Sequence, residues 1–174
     1  NDGRSEHECS EIEINVPTSR TITGNMMMPG FTAPKLLWVK KHEPDCFAKI
    51  SKVLLPKDYL SFKLTGCYVS DMSDASGTLW LDVANRCWNE ELLQACGLNT
   101  EQMPALLEGN QSKAQLLPKL AEQWGIGMVP VIAGAGDNAP RELAQPAHRL
   151  ALCRPLDGDG TRRWKAEAAT SCRW

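Results

Sequence analysis

Long apolar runs are missing from these 174 residues: no stretch reaches the roughly 18 consecutive apolar residues of a membrane span. The opening N-D-G-R-S-E-H-E likewise has neither the basic nor the apolar region of a signal peptide. No membrane partner is expected. Charge of one sign is also scarce, and a net charge of −2 argues against a nucleic-acid or acidic-membrane surface. Paired cysteine motifs are absent: the seven cysteines are an odd number without a C-x-x-C, which points to free thiols in a reducing, cytoplasmic compartment. His7, His42 and His148 lie far apart, none in ligand spacing with a cysteine, so no metal is assigned to protein ligands. Aromatic residues make up only 6%, yet 43% hydrophobic residues suffice for one ordinary core of mixed class.

What is present centres on residues 128–139, M-V-P-V-I-A-G-A-G-D-N-A. Apolar residues running into Gly134, Ala135 and Gly136 read as a buried central strand ending in a tight turn that presents Asp137. A carboxylate at the carboxyl end of a parallel strand sits where open α/β sheets bind ligands, and it can take a proton from a substrate hydroxyl. The competing reading is a helix cap.

Elsewhere, residues 5–14 have modest helical character and residues 18–25 read as a short helical turn. Thr32 is expected to cap a helix that has Pro34 in its first turn, buries Leu36, Leu37, Trp38 and Val39, and stops at Pro44. Residues 53–55 have the length of a buried strand, and Pro56 opens a helix whose apolar face is Tyr59, Leu60, Phe62 and Leu64. Asp71 and Asp74, three apart, can form a metal-binding pair, but such dense Asp and Ser more often cap helices and make turns. Asn89 caps a helix ending at Gly97, and a further helix over 116–124 has Pro118 in its first turn and Gly125 past its end. Helices covering a few short strands imply an α/β layered domain.

Residues 140–174 break the pattern, with six arginines, a D-G-D-G and no lasting period. Two readings stand level for them, a genuine basic tail and a segment read out of frame, and either way no stable packing is expected there. The absence of an initial Met suggests a fragment.

Several stretches, in order, resemble blocks of the FGGY family of carbohydrate kinases: the opening N-D-G-R, G-F-T-A-P-K-L-L-W-V-K-K-H at 30–42, L-P-K-D-Y-L at 55–60, S-D-M-S-D-A-S-G-T-L-W-L-D-V at 70–83 and G-A-G-D-N-A at 134–139. The resemblance implies an α/β fold, part of the actin-like, ribonuclease H-like N-terminal domain of a two-domain sugar kinase, over residues 1–139. It implies ATP with Mg2+ as cofactors and transfer of a phosphoryl group to a sugar hydroxyl, the sugar being D-xylulose, with ribulose, gluconate or glycerol as alternatives. By family position Asp137 matches the general base and Asn138 a sugar-contacting neighbour; Asp2, Arg4 and Phe31 fall in blocks near the sugar pocket. For Asp2 and Arg4 the alternative is a structural ion pair, and for Phe31 a place in the core. A sugar and ATP are thus the implied partners, and the parent enzyme is expected to be a homodimer. The family's D-x-G-T phosphate loop and its second domain have no counterpart here, and after Ala139 Pro140-Arg141-Glu142-Leu143 replaces its run of small residues. A truncated piece, inactive alone, is therefore expected, with a non-catalytic remnant as the second class of reading.

Overall fold

Residues 2–136 are described by the structure, a computed structural model. They lie within the first of the two units into which the chain divides, Asn1–Ala139 and Pro140–Trp174. Asp137, Asn138 and everything expected of residues 140–174 lie outside the described residues.

The helices are α1 (Glu6–Asn15), α2 (Ser19–Thr23), α3 (Thr32–His42), α4 (Pro44–Phe47), α5 (Pro56–Thr65), α6 (Met72–Ser76), α7 (Glu90–Ala95) and α8 (Pro118–Trp124). The strands are β1 (Val69–Asp71), β2 (Leu81–Asp82), β3 (Cys87–Trp88), β4 (Ala105–Leu107), β5 (Ala114–Gln115) and β6 (Pro130–Val131). Local chemistry sets most of these limits. Glu6 and Glu8 complement the positive end of α1, and Lys40, Lys41 and His42 the negative end of α3. The Asn89 side chain accepts the Leu92 N–H at 2.9 Å to start α7. Pro118 opens α8, and Gly125 closes it at φ 65°.

The core forms where α1, α3 and α7 meet around Trp80, which is fully buried with Ile12, Leu79, Leu92 and Leu93. Each such aliphatic side chain contributes about 1.5–3 kcal/mol by leaving water. The Trp80 Nε1–H donates to Cys96 Sγ at 3.4 Å, so the indole's polar atom is satisfied inside the apolar cluster. Burial pushes the Cys96 thiol up to about 11, keeping it protonated. Cys9, Cys46, Cys67, Cys87 and Cys96 are all free thiols.

β1 and β4 pair in parallel, Val69 opposite Ala105 and Asp71 opposite Leu107. All of β1 is buried, and α5 and α6 both pack on it. β2 pairs antiparallel with β3, and β5 with β6.

Four expectations are corrected. Residues 128–133 do not make a central strand: only Pro130–Val131 pairs, antiparallel, and Met128, Val129 and Ile132 stay 48%, 45% and 49% exposed. Pro130 has no N–H to give a ladder, which confines this run to a sheet edge. Residues 53–55 form an extended lead into α5, joined to the chain beyond by Val53 N–H donating to Gln102 O at 2.9 Å, because Pro56 turns the backbone helical at once. Thr32 lies inside α3 while Phe31 is its N-cap, and the backbone N–H of Ala33 is satisfied by Thr78 O at 3.0 Å instead of a side chain. Helix α5 buries Asp58, Ser61 and Thr65 and exposes Tyr59 and Leu60. Its inner polar groups are satisfied locally, as where the Thr65 hydroxyl donates to Ser61 O at 2.8 Å.

Candidate functional site

The tight glycine turn expected before Asp137 does not form within the described residues: residues 132–136 are irregular chain without a turn or bend, with Gly134 alone of its glycines at a positive φ, and this segment rests on a cluster of charged side chains from α5, β1 and α6. Asp71, at the carboxyl end of β1, accepts from the N–H groups of Ser73 and Asp74 at 2.9 and 3.0 Å through Oδ1, capping α6. Its other oxygen, Oδ2, lies 2.7 Å from Lys57 Nζ. The same ammonium stands 3.1 Å from Asp58 Oδ1 and 3.8 Å from Asp74 Oδ2, and it donates to the Ala133 carbonyl at 3.1 Å. Asp74 also lies close to this segment: a Cβ on Gly136 would come within 3.2 Å of its Oδ1.

Burial by itself favours the neutral forms of Lys57 and Asp71, but their mutual attraction reverses this. Lys57 is held above the ordinary lysine value by the Asp71 and Asp58 carboxylates. Asp71 is held below the usual carboxylate range by Lys57, the Ser73 hydroxyl and the Asp74 N–H. Both groups are therefore charged at neutral pH. The backbone that closes on them has Gly134 at φ 84°, a conformation glycine adopts without strain.

The amino-terminal candidates lie in a different place. Asp2 and Arg4 form an ion pair, with Arg4 Nε 3.0 Å from both carboxylate oxygens and Nη2 2.6 Å from Oδ2. Hydrogen bonding to Arg4 holds the Asp2 carboxyl down at about 2. The Arg4 guanidinium lies 4.5 Å from the centre of the Trp38 ring, which stacks in turn on His42 at 4.3 Å. Asp2, Arg4, Ser5, Lys35, Trp38 and Glu43 line an open cleft of about 170 Å³. Trp38, expected in the core, is thus half-buried at the cleft wall. Phe31 does not line that cleft and packs instead against the core cluster. So the structure brings Asp2 and Arg4 together, places Phe31 apart from them, and leaves Asp137 and Asn138 undescribed.

Residues 1–143 match the N-terminal domain of the FGGY family of carbohydrate kinases. The chain belongs to this family. Among its relatives is the xylulose kinase of Escherichia coli (strain K12), 62% identical over 139 residues, a match covering 80% of this chain and 29% of the relative. A Brucella ovis protein described as a xyloylose kinase superposes with a TM-score of 0.77 at 53% identity, over 79% of this chain and 28% of that one. The gluconate kinase of Lactobacillus acidophilus superposes at 0.70 with 26% identity, over 76% and 28% of the two chains. The fold is accordingly part of the α/β N-terminal domain of an FGGY sugar kinase, and the chain spans less than a third of the length of these relatives.

An FGGY kinase uses ATP, and a divalent ion is expected to accompany it. The described residues do not fit such an ion. No cluster of His, Cys, Asp or Glu suited to a metal occurs among them. Where carboxylates do converge, at Asp58, Asp71 and Asp74, the Lys57 ammonium stands in the position an ion would take.

Lys57 and Ser73 were not singled out from sequence as functional, although both lie in stretches that carry the family resemblance. Their partners at Ala133 and Gly136 are 76 and 63 residues away along the chain, so no local spacing announces the contacts.

Proposed function

We propose that this chain is part of an ATP-dependent kinase that converts D-xylulose to D-xylulose 5-phosphate, with Asp137 as general base. The observation carrying the choice of sugar is the 62% identity with the Escherichia coli xylulose kinase, sustained over 139 residues. ATP with Mg2+ would supply the phosphoryl group, held by parts of the enzyme other than the described residues. This chain's own contribution is at the sugar hydroxyl: the Asp137 carboxylate accepts its proton as the oxygen becomes a nucleophile, a role worth about 10²–10⁴-fold in rate. Asn138, which follows it, is assigned to hold the sugar by its amide. Asp2, Arg4 and Phe31 are assigned as weaker sugar contacts; the Asp2–Arg4 pair offers a carboxylate edge and guanidinium N–H groups at an open cleft. The assembled enzyme is assigned to the cytoplasm.

A second reading, gluconate as acceptor, is favoured by the similarity to the gluconate kinase at a TM-score of 0.70. The two are separated by exchanging the matching segment of the Escherichia coli enzyme for this one and comparing kcat/KM for xylulose and gluconate. Xylulose is expected to win. In that hybrid, Asp137→Ala should lower kcat by about 10²–10⁴-fold with little change in KM. A variant within a few-fold of its parent would remove Asp137 from the mechanism.

A further inference from the structure

We infer that Lys57, Asp71 and Ser73 are positioning residues, a clamp that fixes the irregular glycine segment leading into Asp137. The inference rests on the reading of Asp137 as general base, and its geometry lies wholly within the described residues. The clamp is a closed circuit. Lys57 Nζ donates to the Ala133 carbonyl at one end of the segment, at 3.1 Å. On the other side the Gly136 N–H donates to Ser73 Oγ at 3.1 Å. The Ser73 hydroxyl donates onward to Asp71 Oδ1 at 2.6 Å, and Asp71 Oδ2 returns the circuit to Lys57 at 2.7 Å. From a third side the Gly134 N–H donates to the Gly109 carbonyl at 3.0 Å.

An irregular segment containing Gly134 and Gly136 needs such fixing. Glycine has the widest backbone freedom of any residue, so a carboxylate placed immediately after it inherits that freedom unless the segment is held. A general base must stay within about 0.5 Å of its productive position, and a 1 Å displacement costs about 10²-fold. The bonds here run to main-chain atoms of the segment, which fix its path whatever side chains it carries.

Ser73 separates this role from simple support of the fold. Capping of α6 is done by Asp71 Oδ1 accepting main-chain N–H groups, so the Ser73 hydroxyl is not needed for the helix. Besides Asp71 Oδ1, to which it donates, its partner is the Gly136 N–H.

The test begins with amide hydrogen exchange by NMR on the 174-residue chain. In Ser73→Ala the Gly136 amide should exchange about fivefold faster, the factor one net hydrogen bond is worth, while the Leu93 amide in α7 stays unchanged. Ser73→Thr, which keeps the hydroxyl, should restore protection. In the hybrid kinase Ser73→Ala should lower kcat by about tenfold or more with KM for the sugar within about twofold, and Ser73→Thr should recover it. If Ser73→Ala does not fold, Lys57→Met against Lys57→Arg gives the same comparison at the Ala133 side. Unchanged Gly136 exchange in a folded variant would overturn the clamp. Faster exchange with unaltered kcat would overturn its role in positioning. Parental turnover in Asp137→Ala would instead sink the general-base reading and leave the exchange result standing.

Discussion

Asp71 shows how much one buried carboxylate can hold. It is almost wholly shielded from water, yet both oxygens are engaged, Oδ1 by the start of α6 and Ser73 and Oδ2 by Lys57. Breaking a buried pair from one side strands the other charge, which typically costs about 3–5 kcal/mol. Lys57 is partly solvated and keeps Asp58, so Asp71→Asn is expected near the lower end, about 3 kcal/mol, read from urea unfolding by far-UV circular dichroism. A loss below about 0.5 kcal/mol would show that solvent already screens the pair. The same two groups contribute to the pH profile, beside Asp2, Glu13 and Asp82, whose carboxyls are also held low by their hydrogen bonds. Asp71 is depressed, so its contribution is whole above the ordinary carboxyl value near 3.9 and disappears as pH falls through its lower folded value. Lys57 is raised, so its contribution is whole below about 10.4 and disappears as pH climbs through its higher folded value. A stability plateau from about pH 5 to 9 is expected, and Asp71→Asn should flatten its acid limb.

At the scale of elements, α5 separates hydrophobic pattern from burial. Tyr59 and Leu60 are 55% and 58% exposed, whereas the inner side of the helix is Asp58, Ser61 and Thr65. Replacing both apolar residues, Tyr59→Lys with Leu60→Glu, should therefore change stability by no more than about 0.5 kcal/mol. Ser61→Leu, crowding β1, should cost about 1–3 kcal/mol, and urea unfolding of the two variants decides between the faces. A large loss from the double variant would restore the face expected from the sequence. This is also where the sequence was legible and where it was not. Helix α7 could be read because its signals are local: Asn89 at the start, Gly97 at the end, and Leu92, Leu93 and Cys96 on one side. Pro118 and Gly125 marked α8 in the same way. The α5 face was misread because apolar spacing says nothing of a polar side that bonds to its own backbone and to Lys57. The 128–133 run was misread because β-branched composition was weighed above Pro130. The clamp has no local signal because it joins three stretches through space, and the tight turn read from Gly134 and Gly136 is an irregular segment held by those distant side chains.

For the whole molecule, the decisive quantity is coverage. The chain spans 29% of the Escherichia coli relative, and its described residues match only part of the kinase N-terminal domain. Phosphoryl transfer depends on holding the donor's phosphates and balancing their charge while the acceptor hydroxyl lies in line. In these residues the Lys57 ammonium is already engaged by three convergent carboxylates, an acidic set that repels phosphates, and the cleft at Arg4 and Trp38 is lined by a guanidinium already paired with Asp2. Neither place leaves a free set of donors for a triphosphate. The 174-residue chain alone is therefore expected to give no ADP release dependent on D-xylulose, measured with a coupled assay beside its own Asp137→Ala variant as the blank. The hybrid carrying the same segment should turn over in the same assay. Turnover by the isolated chain above its Asp137→Ala control would mean that these residues assemble a donor site of their own. The Lys57 cluster would then have to release its ammonium to admit an ion, and Lys57→Met would raise the rate rather than lower it.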